Sequence, residues 1–293
     1  MSTQYDAILQ VGERLRSYRL GKGLTPEQVA KETGISRAAI YRYESGQPIR
    51  VDALGKIADL LDVSLTSLFG VGSEYITSAL TFFERMKQIE DTAEQISVLF
   101  GPVSYLLTTQ QFDAILGQVL NESVPEGATD RENLETEVRK IVETLRERKA
   151  TFQKRRPNIV SLVSSAELEQ FALSGFVGKQ GITGPELDER KAIARGEIEN
   201  IIRLLEEQPI GVQIGVVEDS TPGSSFQIFR NGNKAQVAVS PFRLGSFPNI
   251  RIGVATITSA QESIQLHQQV TEQLWKNSLK GVEAVNRLKK ILQ

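Results

Sequence analysis

Apolar residues recur at helical spacing through the first part of the chain, and β-branched runs appear only after its midpoint. Val11, Leu15 and Tyr18 mark one face of a first helix that stops at Gly21-Lys22-Gly23. Thr25-Pro26-Glu27-Gln28 reads as a helix start, with Thr at the N-cap, Pro at the first helical position and Gln completing a capping box. Val29 and Ala30 give this second helix its inner face, and Gly34 ends it. Ile35 is a plug, and Ser36 caps a third helix, Arg37 to Ser45. There Ala39, Ile40 and Tyr43 sit at inward spacings, while Arg37, Ala38, Tyr41 and Arg42 face out. Val51, Leu54, Ile57, Ala58 and Leu61 predict a fourth helix, and Ser64 starts a fifth.

Residues 73–120 read as helical, from Leu80, Phe83, Met86 and Ile89 and then from Ile96, Leu99 and Phe100. A turn-rich stretch, Pro125 to Asp130, precedes a charged helix over 131–155 with Leu134, Val138, Ile141 and Leu145 on one face. After Pro157 the texture changes. Asn158 to Val163 is a β-branched run that predicts a buried strand, and two helices follow near 166–175 and 186–207. Gly211–Val217, Ser225–Phe229, Ala235–Val239 and Arg251–Ile257 predict further strands, with a hairpin signal at Asn231-Gly232-Asn233. One long amphipathic helix, Ser259 to Leu292, is expected to close the chain.

This pattern predicts a multidomain chain. An all-α, five-helix domain over 8–70 precedes a helical linker region over 73–156 and an α/β (α+β) domain over 157–293.

Composition narrows the chemistry. The chain has 293 residues, 40% of them hydrophobic and 24% charged, and no cysteine. Disulfides, thiol catalysis and cysteine zinc sites are therefore excluded. Histidine occurs once, at His267, which leaves no basis for a multi-histidine metal site. The N-terminal residues Met1 to Asp6 have no signal-peptide pattern, and no apolar run is long enough for a membrane span, so a cytoplasmic protein without membrane contact is expected. Net charge is −2, so any nucleic-acid site must be a local patch.

Two short helices separated by a glycine turn, the second exposing cations near its start, suit the major groove of duplex DNA. Leu24 to Ala30, Gly34-Ile35-Ser36-Arg37 and Ile40 to Gly46 resemble the Xre-type (phage Cro and repressor) helix-turn-helix family. The resemblance implies that Arg37, Ala38 and Arg42 face base edges, where arginine is well shaped for guanine. It implies backbone or auxiliary roles for Gln28, Ser36, Tyr41, Ser45 and Arg50, with Tyr41 equally placed for packing. It makes Arg19 and Glu44 a structural pair between the first and third helices. One position departs from the family: Pro26 stands where Gln usually contacts a phosphate, and Gln28 or Lys22 is left to replace it.

The remainder is similar to the C-terminal half of actinobacterial Xre-type regulators described as antitoxin-like. Ala93-Glu94-Gln95-Ile96, Gly101 through Phe112, Arg146 through Phe152 and the strands at Gly211–Val217 and Ser225–Phe229 carry the likeness. It implies regulation or partner binding. Catalysis has no visible basis: His267 is followed by Gln268 and Gln269 rather than the His-x-Lys of phospholipase-D-like enzymes, and there is no Gly-x-Ser-x-Gly, P-loop or carboxylate pair. The loops Thr221 to Ser225 and Gly245 to Pro248 end strands near Phe226, Phe229, Phe242 and Phe247, which line either an apolar pocket or the core. The basic run Arg146 to Arg156 reads as a solvated helix end, or else as a flanking DNA contact.

The expected protein is a non-enzymatic transcriptional regulator that needs no cofactor. It binds double-stranded DNA as a homodimer on pseudo-palindromic operators and senses a small-molecule effector or small protein partner. The alternative is an antitoxin that neutralises a small partner protein and represses its own operon.

Overall fold

The computed structural model describes residues 2–70, 72–99, 101–218 and 224–293, with side chains from Gln10 onward. Helices α1 (Ser2–Gly21), α2 (Pro26–Thr33), α3 (Arg37–Glu44), α4 (Val51–Leu61) and α5 (Leu65–Phe69) open the chain. They pack around Val11, Leu15, Tyr18, Val29, Ile40, Leu54, Ile57 and Leu61, all buried. Val51, expected on the inner stripe of α4, is instead exposed beside the cap.

The rest is built on one mixed sheet. Among the described residues, seven strands run in the order β1-β7-β6-β5-β2-β3-β4. These are β1 (Ser73–Ile76), β2 (Gln95–Leu99), β3 (Asn158–Ser164), β4 (Val212–Val217), β5 (Ser225–Asn231), β6 (Lys234–Ser240) and β7 (Ala255–Thr258). β2, β3 and β4 are mutually parallel, and every other pairing is antiparallel. The helices are α6 (Ala79–Glu90), α7 (Gln110–Glu122), α8 (Arg131–Arg155), α9 (Ser165–Ser174), α10 (Gly184–Glu207), α11 (Gln261–Asn277) and α12 (Gly281–Ile291).

Strand alternation sorts side chains between two layers. Ile96, Val98, Ile159, Val163, Ile214 and Phe229 enter the large core shared with the helices. Leu99, Leu162, Val217, Phe226, Ile228 and Val237 form a smaller one under Ile264 of α11.

Several expectations are corrected. The 73–156 segment, read as a helical linker, contributes β1 and β2, so it shares its sheet with 157–293. Ile96 and Leu99 belong to a strand buried on both faces, where a short apolar run carries no period that separates it from a helix. Phe100 and Thr221 to Gly223 lie outside the described residues. Residues 251–254 precede β7 rather than belonging to it.

The expected single terminal helix is two, α11 and α12. Between them Leu279 pairs with the edge of β4, donating to the Val216 carbonyl at 2.8 Å and accepting from its N–H at 2.9 Å. The terminal apolar stripe is thereby divided, with Ile264 over the smaller core and Val285 and Leu288 in the larger. The four aromatics read as a possible pocket do not converge. Phe226 lies in the smaller core, Phe229 and Phe242 in the larger, and Phe247 is exposed. His267 packs edge-on against Phe226 with ring centroids 4.8 Å apart, and its Nδ1 is 2.8 Å from the Ser263 carbonyl oxygen.

The N-terminal helices are joined to the sheet through α1. Glu74 on β1 accepts from Arg14 Nε of α1 at 2.9 Å and from Arg85 Nε and Nη2 of α6, each at 2.9 Å. All three side chains are at most 5% exposed. Gln88 Nε2 adds donations to the Glu13 carbonyl and to Ser17 Oγ. At the other end of the crossing, a Cβ on Gly21 would lie 1.5 Å from Thr81 Oγ1, so only glycine allows α1 and α6 to approach this closely.

Burial alone would raise the Glu74 carboxyl pKa, but Arg85 and then Arg14 outweigh it and hold the group below its ordinary 4.5. A depressed carboxylate pKa contributes stability above the unfolded value and loses it as pH falls. Glu74→Gln strands two buried guanidinium groups and is expected to cost about 3–5 kcal/mol. The difference from wild type should narrow as pH drops below 4.5. Urea unfolding followed by circular dichroism and by Trp275 fluorescence checks this, with both probes shifting together. Separate midpoints would show that the junction does not couple the two parts.

Candidate nucleic-acid interface

The turn between α2 and α3 is assembled by local capping. Thr25 Oγ1 accepts the Gln28 N–H at 3.2 Å, and Gln28 Oε1 accepts the Thr25 N–H at 2.7 Å, closing the box. Gly34 ends α2 with φ +71°, a left-handed conformation that glycine adopts without penalty. Ser36 Oγ caps α3 by accepting the Ala39 N–H at 3.2 Å. Ala39 and Ile40 then turn into the core, with Ile40 fully buried.

This leaves Arg37, Ala38, Tyr41, Arg42 and Ser45 exposed along one side of α3. Spacings of one, four, five and eight residues place them on a single helical face. Their surroundings differ. Arg37 Nε lies 2.6 Å from Glu27 Oε1 of α2, and its Nη2 donates to the Tyr41 hydroxyl at 3.4 Å. The Arg42 guanidinium has no hydrogen bond or ion pair among the described residues. Ser45 Oγ donates to the Arg42 carbonyl at 2.9 Å. Arg50 precedes α4, exposed and 3.1 Å from Asp52 Oδ1. Gln28 spends its side-chain oxygen on the capping box, which leaves Nε2 as the donor for any outside contact.

The helix is held from behind by α1. Arg19 donates from Nε to Glu44 Oε1 at 2.5 Å, from Nη2 to Oε2 at 2.8 Å and from Nη1 to the Leu24 carbonyl at 2.7 Å. Both side chains are 7% exposed. A Cβ on Gly12 would sit 2.3 Å from the Tyr43 carbonyl oxygen, so α1 passes directly against the end of α3.

The basic run at the end of α8 divides into buried and exposed cations. Arg148 makes a bidentate pair with Glu90 at 2.8 and 2.7 Å, and Lys149 reaches Asp113 at 2.6 Å beneath the Tyr105 ring. These two are buried core cations, whereas Arg146, Lys154, Arg155 and Arg156 are exposed, the last three as the solvated helix end that the sequence suggests. Sequence reasoning also missed the Glu27–Arg37 pair. An acidic residue in a first helical turn reads as a macrodipole partner, and nothing in its spacing points across a turn. Among the described residues no cluster of His, Asp and Glu is arranged to hold a metal ion, and no helix is long and apolar enough to cross a membrane.

A capped two-helix unit that buries one side and exposes cations on the other defines the helix-turn-helix class of DNA-binding proteins. The helix-turn-helix family model matches residues 15–68. The HTH-type transcriptional activator BcrR of Enterococcus faecalis is 36% identical over 74 residues, 25% of this chain and 36% of the activator. The cryptic phage CTXphi transcriptional repressor RstR of Vibrio cholerae serotype O1 is 33% identical over 88 residues, 30% of this chain and 77% of the repressor. The chain thus spans about a third of one relative and about three-quarters of the other. It belongs to the Xre-type helix-turn-helix family of transcriptional regulators. A solved structure of TrmBL2, an archaeal chromatin protein, overlaps 90% of this chain and 92% of its own at 12% identity. Its TM-score is 0.31, too low to establish a common fold.

The Arg19–Glu44 pair generates a test of the scaffold apart from the exposed face. Arg19→Ala leaves Glu44 buried and unpaired and is expected to lower stability by about 3 kcal/mol or more. Arg19→Lys is expected to recover little, because one ammonium cannot span both carboxylate oxygens and the Leu24 carbonyl. Thermal melts of the two variants measure this, and a lysine variant as stable as wild type would refute the bidentate role.

Proposed function

We propose that the chain is a sequence-specific transcriptional regulator in which Arg37, Ala38 and Arg42 read base edges in the major groove. Gln28, Ser36, Tyr41, Ser45 and Arg50 contact the DNA backbone or support those contacts, which set register rather than sequence preference. The protein acts as a dimer on pseudo-palindromic operators, because two recognition helices must meet half-sites about one helical turn apart. The observation that carries this reading is the exposed face of α3, with two arginines and a small residue outward and a fully packed back.

The sheet-bearing region serves as the sensor for a small molecule or a protein partner. A groove of about 550 Å³ between α7 and α8, with Gly117 and Asn121 on one wall and Val142 and Arg146 on the other, supports the small-molecule case. It is open to solvent and lined mainly by polar and charged side chains, among them Arg139, Glu143 and Glu147, which suits a polar ligand.

Binding to randomised and promoter-derived duplexes, titrated across salt, tests the reading. Arg37→Ala and Arg42→Ala are each expected to erase about 1–3 kcal/mol of discrimination at one base pair. Arg50→Ala is expected to weaken all sequences alike and to reduce the salt slope by about one. Identical behaviour of the two classes, or no sequence preference at low salt, would overturn the assignment.

A further inference from the structure

We infer that Glu27 is a specificity-determining residue that positions Arg37, holding its Nε so that the terminal nitrogens are presented end-on to a base. The inference rests on the reading of α3 as the DNA-reading helix.

The two arginines of that face are in different states. Arg37 is held from two sides, by the Glu27 carboxylate 2.6 Å from Nε and by Tyr41, whose ring centroid is 5.4 Å from Cζ. Arg42, five residues on, is held by nothing among the described residues. A guanidinium carries five N–H donors in a fixed plane. Glu27 lies against Nε and Nη2 gives one hydrogen to the Tyr41 hydroxyl at 3.4 Å, so Nη1 and the second Nη2 hydrogen remain to meet paired acceptors such as guanine O6 and N7. A long side chain fixed in advance loses less freedom on binding than a free one.

The start of α2 is committed to the same arrangement. Pro26 has no N–H, and the Gln28 N–H is taken by Thr25 Oγ1. The Glu27 carboxyl is held below its ordinary range, first by its own backbone N–H and also by Arg37, so it is charged at neutral pH. The α2 N-terminus thus presents a carboxylate to Arg37 where free backbone donors would otherwise meet a phosphate.

A carboxylate at a DNA-facing surface has two separable effects. It repels phosphates whatever the sequence, which lowers affinity for every duplex. By positioning Arg37, it raises affinity only where the right base lies beneath.

The experiment is selection and titration of randomised duplexes with the full chain as wild type, Glu27→Gln, Arg37→Ala and the double variant. Glu27→Gln is expected to bind unrelated duplex roughly two- to threefold more tightly and to lose about fivefold or more of discrimination at a single base pair. That base pair should be the one at which Arg37→Ala loses its preference. In the Arg37→Ala background the glutamine should change no preference, since its effect runs through Arg37. Unchanged or sharper discrimination by Glu27→Gln, with wild-type preference intact, overturns this inference alone. A wild-type chain with no preference for any duplex overturns the DNA-reading assignment and this inference with it.

Discussion

The organisation of the molecule depends on one helix that faces two ways within a single continuous core. Along α1, Arg19 faces α3 while Arg14 faces the sheet, where it shares Glu74 with Arg85. Two guanidinium groups and one carboxylate are removed from water together, and geometry compensates part of that removal: every Glu74 contact is a 2.9 Å donation from a fixed nitrogen, while Arg14 Nη1 is buried without a partner. Such a cluster is not a large net source of stability, since burying charge offsets most of the attraction. Its effect is on arrangement. A crossing that left any of the three unpaired would be strongly disfavoured, so α1 has one seat on α6.

The exposed face of α3 inherits that rigidity. Gly21 lets α1 press against Thr81, and Gly12 lets the same helix press against the carbonyl end of α3. Short helices such as α2 and α3, of eight residues each, have little independent stability, and packing holds them in place. Caps at Thr25 and Ser36 fix where each begins. The bidentate Arg19–Glu44 pair fixes how α3 is rotated, and therefore which side chains are outward.

The sequence was most legible where structure is local. The capping box, Gly34 and Ser36 encode the α2–α3 turn within a dozen residues, and the α8 boundaries coincide with the predicted helix at 131–155. It was least legible where burial is two-sided or partners are distant. Gln95–Leu99 forms a central strand flanked by β5 and β3, and its apolar residues carry no alternation that separates it from a helix. The break at Ser278–Lys280 lacks a proline, and its cause is the bond between Leu279 and Val216, whose partner lies far back in the chain. The ion pairs fall in the same class. Arg14 and Glu74 are separated by sixty positions, and Arg148 and Glu90 by fifty-eight, so each reads in sequence as an ordinary surface charge.

The junction at Glu74 also bears on how this chain can be recombined. Helix-turn-helix units are commonly pictured as detachable readers, exchangeable between effector modules. Here a cut after residue 70 would leave Arg14 facing solvent without its carboxylate and would strip Gly21 of the helix it was shaped to meet. A graft onto a foreign partner would need to supply an acid at the position of Glu74 and a small-waisted helix at that of Thr81. In this protein the helix-turn-helix unit and its support pack as one piece, joined through Arg14, Glu74 and Arg85.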